Sequence, residues 1–195
     1  MKVLIVAPHP DDEVLGVGGT ILRYKSQGYS VAWLIVTSAS EKFGWSQEKI
    51  SERALEINEV STFFNFDKVF QLGLPTTMLD TLPLGDVVQK LATVINEFCP
   101  DEIFIPHLGD IHTDHKIVHS AVLSCTKWFR YPFIKKILAY ETISETDFGL
   151  DINQTFIPNV FVDISDHLDK KIDAMEIYDS EIGSFPFPRS KKAIE

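Results

Sequence analysis

With 195 residues, 45% of them hydrophobic and 24% charged, the chain suits one domain around one sizeable core and is not the composition of a disordered protein. Eighteen Lys and Arg against 28 Asp and Glu leave a formal net charge of −10, which disfavours both a nucleic acid and an anionic membrane surface as partners. Two cysteines cannot build a disulfide framework, and the apolar run 3–7 is too short for a signal peptide or a membrane span, so a cytoplasmic protein is expected.

In chain order, residues 3–7 (VLIVA) form a β-branched-rich run that reads as a strand covered on both faces. Pro8 and Pro10 end it, and a helix is expected over about 13–27, with Gly28 as its stop. Residues 30–37 read as a second buried strand. Residues 51–64 carry Ala54, Leu55, Ile57, Val60, Phe63 and Phe64 near helical spacing, and 68–72 make a third short strand. Residues 84–98 predict an amphipathic helix with Val87, Val88, Leu91, Val94 and Ile95 on one stripe. A fourth strand at 103–106, a helix over 115–129, strands at 134–141 and 159–164, and a helix over 166–178 follow. Residues 190–195 read as the start of a helix that stops, as in a shortened chain. This alternation predicts an α/β layered fold with a mainly parallel sheet, in which ligands bind beyond the carboxyl ends of the strands.

Two clusters of chemistry-bearing residues fall at such ends. His9 follows the first strand together with Asp11, Asp12 and Glu13, while His107, His112, His115 and His119 follow the fourth with Asp110 and Asp114. Taken singly, an Asp-Asp-Glu run before a helix reads as a cap complementing the helix dipole, and a loop histidine as a surface or core residue. Together they supply histidine and carboxylate ligands from two turns, the donor set of a catalytic metal with an open position.

Ala7-Pro8-His9-Pro10-Asp11-Asp12-Glu13 followed by Gly16-Val17-Gly18-Gly19-Thr20 resembles the first motif of the LmbE/PIG-L family of metal-dependent deacetylases, and His112-Thr113-Asp114-His115 its second. The resemblance extends through Arg53 to Glu56 and Leu79-Asp80. It implies a Rossmann-like three-layer fold, one domain over 1–195, and removal of the acetyl group from an acetamido sugar of the N-acetylglucosamine type. It further implies that His9, Asp12 and His115 hold the metal and that Asp11 is the general base. His112 would support the charged intermediate as a protonated imidazole, and Asp114 would orient a histidine. Zn²⁺ suits these ligands, and Fe²⁺ would fit the same set.

Arg53 and Asp80 are the expected substrate contacts. Arg53 could meet a phosphate or carboxylate, or pair with Glu56 or Glu52; Asp80 could accept from a sugar hydroxyl or cap its turn. Phe187 stands where the family's His-Pro-Arg-Ser segment has histidine, and Met78 where many relatives have a basic residue. Cys99 and Cys125 are expected to be buried thiols. Phe43, Trp45, Phe148, Phe185 and Phe187 fall outside the predicted elements and could wall a sugar ring or a subunit contact; a homo-oligomer is compatible with the sequence. Two other readings stand beside the hydrolase. A nucleotide-binding module would use Gly16-x-Gly18-Gly19, although Asp11, Asp12 and Glu13 occupy the turn a pyrophosphate would need. A metal-binding relative without turnover would keep the ligands alone.

Overall fold

Along the first strand, β1 (Lys2–Ala7), the side chains alternate between two faces, and both faces are apolar. Val3, Ile5 and Ala7 enter one hydrophobic cluster and Leu4 and Val6 the other, so the strand must be covered on both sides. The computed structural model, which describes Met1–Glu195, meets that demand with five strands and helices on either face.

The remaining strands are β2 (Ser30–Ser38), β3 (Lys68–Pro75), β4 (Glu102–Pro106) and β5 (Lys136–Tyr140). All pair in parallel, in the order β3-β2-β1-β4-β5. The helices are α1 (Asp12–Ser26), α2 (Gln47–Phe64), α3 (Leu84–Phe98), α4 (Thr113–Ser124), α5 (Leu168–Glu176) and the short α6 (Lys191–Ile194). Residues of α1, α2 and α5 fill one cluster, and residues of α3 and α4 the other. This is the three-layer α/β architecture expected. After β3 the chain returns to the far side of β1, so β1 and β4 are neighbours whose connections leave in opposite directions. The gap above their carboxyl ends is the topological switch point, where such sheets bind ligands.

The glycines of α1 let it lie close to its neighbours. A Cβ on Gly16 would stand 2.2 Å from Cδ2 of Tyr140, and one on Gly19 would stand 2.4 Å from Cδ1 of Ile164. The Tyr140 hydroxyl in turn donates to the Val6 carbonyl at 2.8 Å, fixing the end of β1 from the far edge of the sheet.

Three elements differ from expectation. Residues 159–164 form no strand: Arg23 donates to the Asp163 carbonyl that a ladder would have used, and Asp163 Oδ1 accepts from Ser165 N at 3.0 Å, turning the chain toward α5. Helix α4 ends at Ser124 instead of 129, where the Thr126 hydroxyl takes the Leu123 carbonyl and leaves Trp128 and Phe129 exposed. Helix α2 begins at Gln47, four residues early, because Ser46 accepts from Lys49 N. Of the thiols, Cys125 is buried, but Cys99 is exposed in a left-handed turn that ends α3.

Candidate active site

The turn between β1 and α1 carries His9 to Glu13, and it is held from three sides. Asp11 has φ 123°, a conformation that non-glycine residues rarely adopt, so its surroundings must impose it. Its N–H donates to Glu13 Oε2 at 3.0 Å, while Glu13 Oε1 accepts from the buried Tyr178 hydroxyl at 2.7 Å. Asp12 Oδ2 accepts from His9 N at 2.8 Å. The second turn, between β4 and α4, brings His112, Asp114 and His115 to the same place.

Across the switch point the three imidazoles cluster, with ring centroids 4.5–5.4 Å apart. Each offers a ring nitrogen within 4.8 Å of the others. Asp12 Oδ2 lies 3.4 Å from His9 Nδ1 and 3.3 Å from His115 Nε2. The far nitrogen of each of those two rings is taken by a different carboxylate: His9 Nε2 by Asp114 Oδ2 at 3.0 Å, and His115 Nδ1 by Asp110 Oδ2 at 2.8 Å. Carboxylates on the outer nitrogens fix the tautomer that turns a lone pair inward. His115 Nε2 is buried and has no hydrogen-bond partner, which is the condition of a donor atom shaped for a cation. The residues present, three imidazoles with the Asp12 carboxylate beside them, therefore fit a divalent cation.

The electrostatics agree with that geometry. Burial opposes charge on His115, but Asp12 and Asp110 outweigh it and raise the ring to about 10. Burial likewise opposes charge on His9, and hydrogen bonds to Asp114 and Asp12 raise it to about 9. Asp12 itself is held well below the usual carboxylate range, the two imidazoles overcoming its burial. In the metal-free chain, protons thus do the work of a cation among these carboxylates.

His112 is different. Its Nδ1 accepts from Asp114 N at 3.1 Å, capping α4, and burial together with His9 and His115 pushes the ring down to about 4. With Nδ1 accepting, the neutral ring carries its proton on Nε2 and is a hydrogen-bond donor. Asp114 is engaged on both oxygens: besides His9 it accepts from Thr77 N at 2.7 Å and Leu79 N at 3.1 Å. It orients His9 and ties the loop after β3 to the site.

Asp11 lies beside these groups, and burial and the Asp12 carboxylate push it up to about 7 against the pull of Arg189. Arg189 was not assigned from the sequence. Its Nη1 donates to Asp11 Oδ2 at 2.6 Å and Glu181 Oε2 at 3.2 Å, Nη2 to Glu145 Oε1 at 3.3 Å, and Nε to Ser144 Oγ at 2.7 Å. Asp110, Glu145 and Glu181 were missed as well. Asp110 had a legible signal, its place in the second cluster; Glu145 and Glu181 arrive from loops whose sequence carries none.

A cavity of about 560 Å³ opens over the cluster, lined by both turns, by α2 and by Glu145, Glu181 and Arg189. Arg53 lines it, engaged with Glu56 Oε2 at 3.2 Å and Glu181 Oε1 at 2.5 Å. Asp80 does not line it and is exposed on a 3-10 turn, Leu79–Thr81, after β3. Of the loop aromatics only Trp45 reaches the cavity wall. The N-terminus of α1 is occupied by the buried Asp12 and Glu13 carboxylates, so a pyrophosphate would meet like charge there.

Fold and cluster together define an α/β protein with a candidate divalent-metal site at the switch point of a parallel sheet. The chain belongs to the family described as PIG-L, GlcNAc-PI de-N-acetylase, which matches residues 4–126 and so contains both turns. It is 26% identical over 199 residues to a diacetylchitobiose deacetylase of Thermococcus kodakarensis, covering 92% of this chain and 70% of that one. It is 21% identical over 190 residues to a probable N-acetyl-alpha-D-glucosaminyl L-malate deacetylase of Bacillus anthracis, covering 93% and 82%. Among solved structures, a conserved protein of Thermus thermophilus superposes with a TM-score of 0.75 at 27% identity, over 98% of this chain and 82% of that one.

Proposed function

We propose that the protein is a metal-dependent N-deacetylase that hydrolyses the acetamido group of an N-acetylated amino sugar. The observation that carries this reading is the convergence of His9 Nδ1, His115 Nε2 and Asp12 Oδ2 beside a buried Asp11, at the floor of an open cavity. Membership of the family and the deacetylase names of its relatives support the same substrate class.

A divalent cation held by His9, Asp12 and His115, Zn²⁺ by the chemistry of the donors, would supply Lewis-acid polarisation of the amide carbonyl and acidify a water molecule. The chain's own groups do the rest. Asp11 Oδ1, the oxygen that Arg189 leaves free, takes the proton from the attacking water, and Arg189 holds the carboxylate still while it does so. His112 Nε2–H donates to the carbonyl oxygen as negative charge develops there. The proton gathered by Asp11 is then delivered to the departing nitrogen, so that amide and water become amine and acetate.

The test is acetate release from a panel of N-acetyl sugars combined with metal analysis. Asp11→Asn is expected to keep its metal and to lose turnover by ~10²–10⁴-fold, the usual contribution of a general base. Near-normal rates in that variant would remove Asp11 from the role. Bound metal with no acetate from any sugar would favour a binding protein without turnover.

A further inference from the structure

The substrate-facing wall of the cavity has an unusual charge arrangement. Six carboxylates line it, against Lys49, Arg53 and Arg189 as the only permanent cations. Arg189 has every guanidinium nitrogen engaged, by Asp11, Glu181, Glu145 and Ser144. Glu181 bridges the two arginines, one oxygen to each, and the other side of Arg53 faces Glu56. Arg53 is also fixed over the Tyr178 ring, 5.4 Å from its centroid. Its Nη1, 3.2 Å from Glu56 Oε2, is buried and lacks a well-formed hydrogen bond. Lys49 forms no ion pair, but it is exposed on α2 at the rim, one turn before Glu52.

We propose that this wall selects uncharged N-acetylated glycosides and excludes conjugates whose aglycone bears phosphate or carboxylate, a refinement that rests on the deacetylase reading. An anion that passes the rim, where Lys49 stands, must either break the Glu56–Arg53–Glu181–Arg189 chain or lie unpaired among carboxylates in a site of lowered dielectric. An uncharged sugar faces neither demand. Its hydroxyls can exchange hydrogen bonds with Asn58, Gln71 and Thr76, which line the cavity, and Trp45 offers an aromatic face for a ring. The sequence left two uses for Arg53 open, an anchor for a substrate anion and a partner for Glu56 or Glu52. The carboxylates beside it support the second, and one of them, Glu181, comes from 128 residues further along the chain.

The metal-loaded protein is assayed with N-acetylglucosamine and N,N′-diacetylchitobiose beside N-acetylglucosamine 1-phosphate and 6-phosphate. Each uncharged sugar should show kcat/KM about tenfold or more above each phosphorylated one, mainly through KM, as like-charge contact in a binding site dictates. Glu56→Gln and Glu181→Gln should each raise the ratio of phosphorylated to uncharged kcat/KM several-fold, since each releases Arg53. Equal or better turnover of the phosphorylated sugars, or a ratio unmoved in both variants, would overturn the proposal. If no sugar releases acetate, the deacetylase reading falls by itself, and calorimetric binding of the same four sugars decides this one. Tighter binding of the uncharged sugars upholds it, and tighter binding of the phosphates refutes it.

Discussion

Asp11 and His115 show how far a residue's role depends on what stands behind it. Each is a common side chain made specific by a partner: Arg189 for Asp11 at 2.6 Å, Asp110 for His115 at 2.8 Å. Arg189→Ala should therefore keep the metal and lose kcat by about 10–100-fold, the range found for outer partners of catalytic groups, with Arg189→Lys recovering part of the loss. Steady-state kinetics alongside metal analysis checks this; an unchanged kcat would show that Asp11 needs no such hold. Asp110→Ala should act on the other branch, weakening metal affinity by about 10–100-fold, as read by competition with a chelator. Both motif turns could be found in the sequence because their donors lie within a few residues of one another. Arg189 could not be placed, because its partners Asp11, Ser144 and Glu145 are brought to it only by the folded sheet. His112 was legible as a site residue but its tautomer was not, since the N–H of Asp114 that donates to Nδ1 depends on where α4 starts.

At the level of elements, the glycines of α1 pack the helix where a nucleotide-binding turn would have used them for phosphate. Gly16→Ala would press a methyl group into the Tyr140 ring, which is itself anchored to β1, so it cannot move aside freely. The expected loss is about 1–3 kcal/mol of folding stability, measurable as a lowered urea midpoint with unchanged slope. Gly28→Ala, where a Cβ meets nothing, serves as the contrast, its penalty coming from the left-handed backbone alone. Strands buried on both faces, β1 and β2, and the strongly striped α3 were legible because period and burial coincide in them. Residues 159–164 carried a strand's alternation without a strand's partner. Val160 and Phe161 are exposed, and only Ile164 packs, against Gly19.

For the whole molecule, the parallel sheet followed from the alternation of elements, and both clusters lie at carboxyl ends of strands as expected, while the strand order that makes β1 and β4 neighbours was not legible. What holds the sheet's amino-terminal ends together is less visible in sequence. Asp67 accepts from Val31 N at 2.8 Å and from Lys25, and Asp101 accepts from Lys2 N at 2.9 Å and from Lys135. Burial works against the Asp67 carboxylate, but the Lys25 and Val31 hydrogen bonds outweigh it and hold the group below its ordinary range; Lys135 and Lys2 do the same for Asp101. A carboxyl depressed in the folded state stabilises fully above its unfolded value, and that contribution is lost as pH falls below about 4. Urea titrations of the native chain and of Asp67→Asn should therefore converge as pH drops below that point. A constant gap between the two would contradict the assignment.

The hold of Arg189 on Asp11 joins positions 178 residues apart. Loosening the loop around residues 181–189 would therefore free the Asp11 carboxylate while leaving the β1–α1 and β4–α4 turns, and the three imidazoles they carry, where they stand.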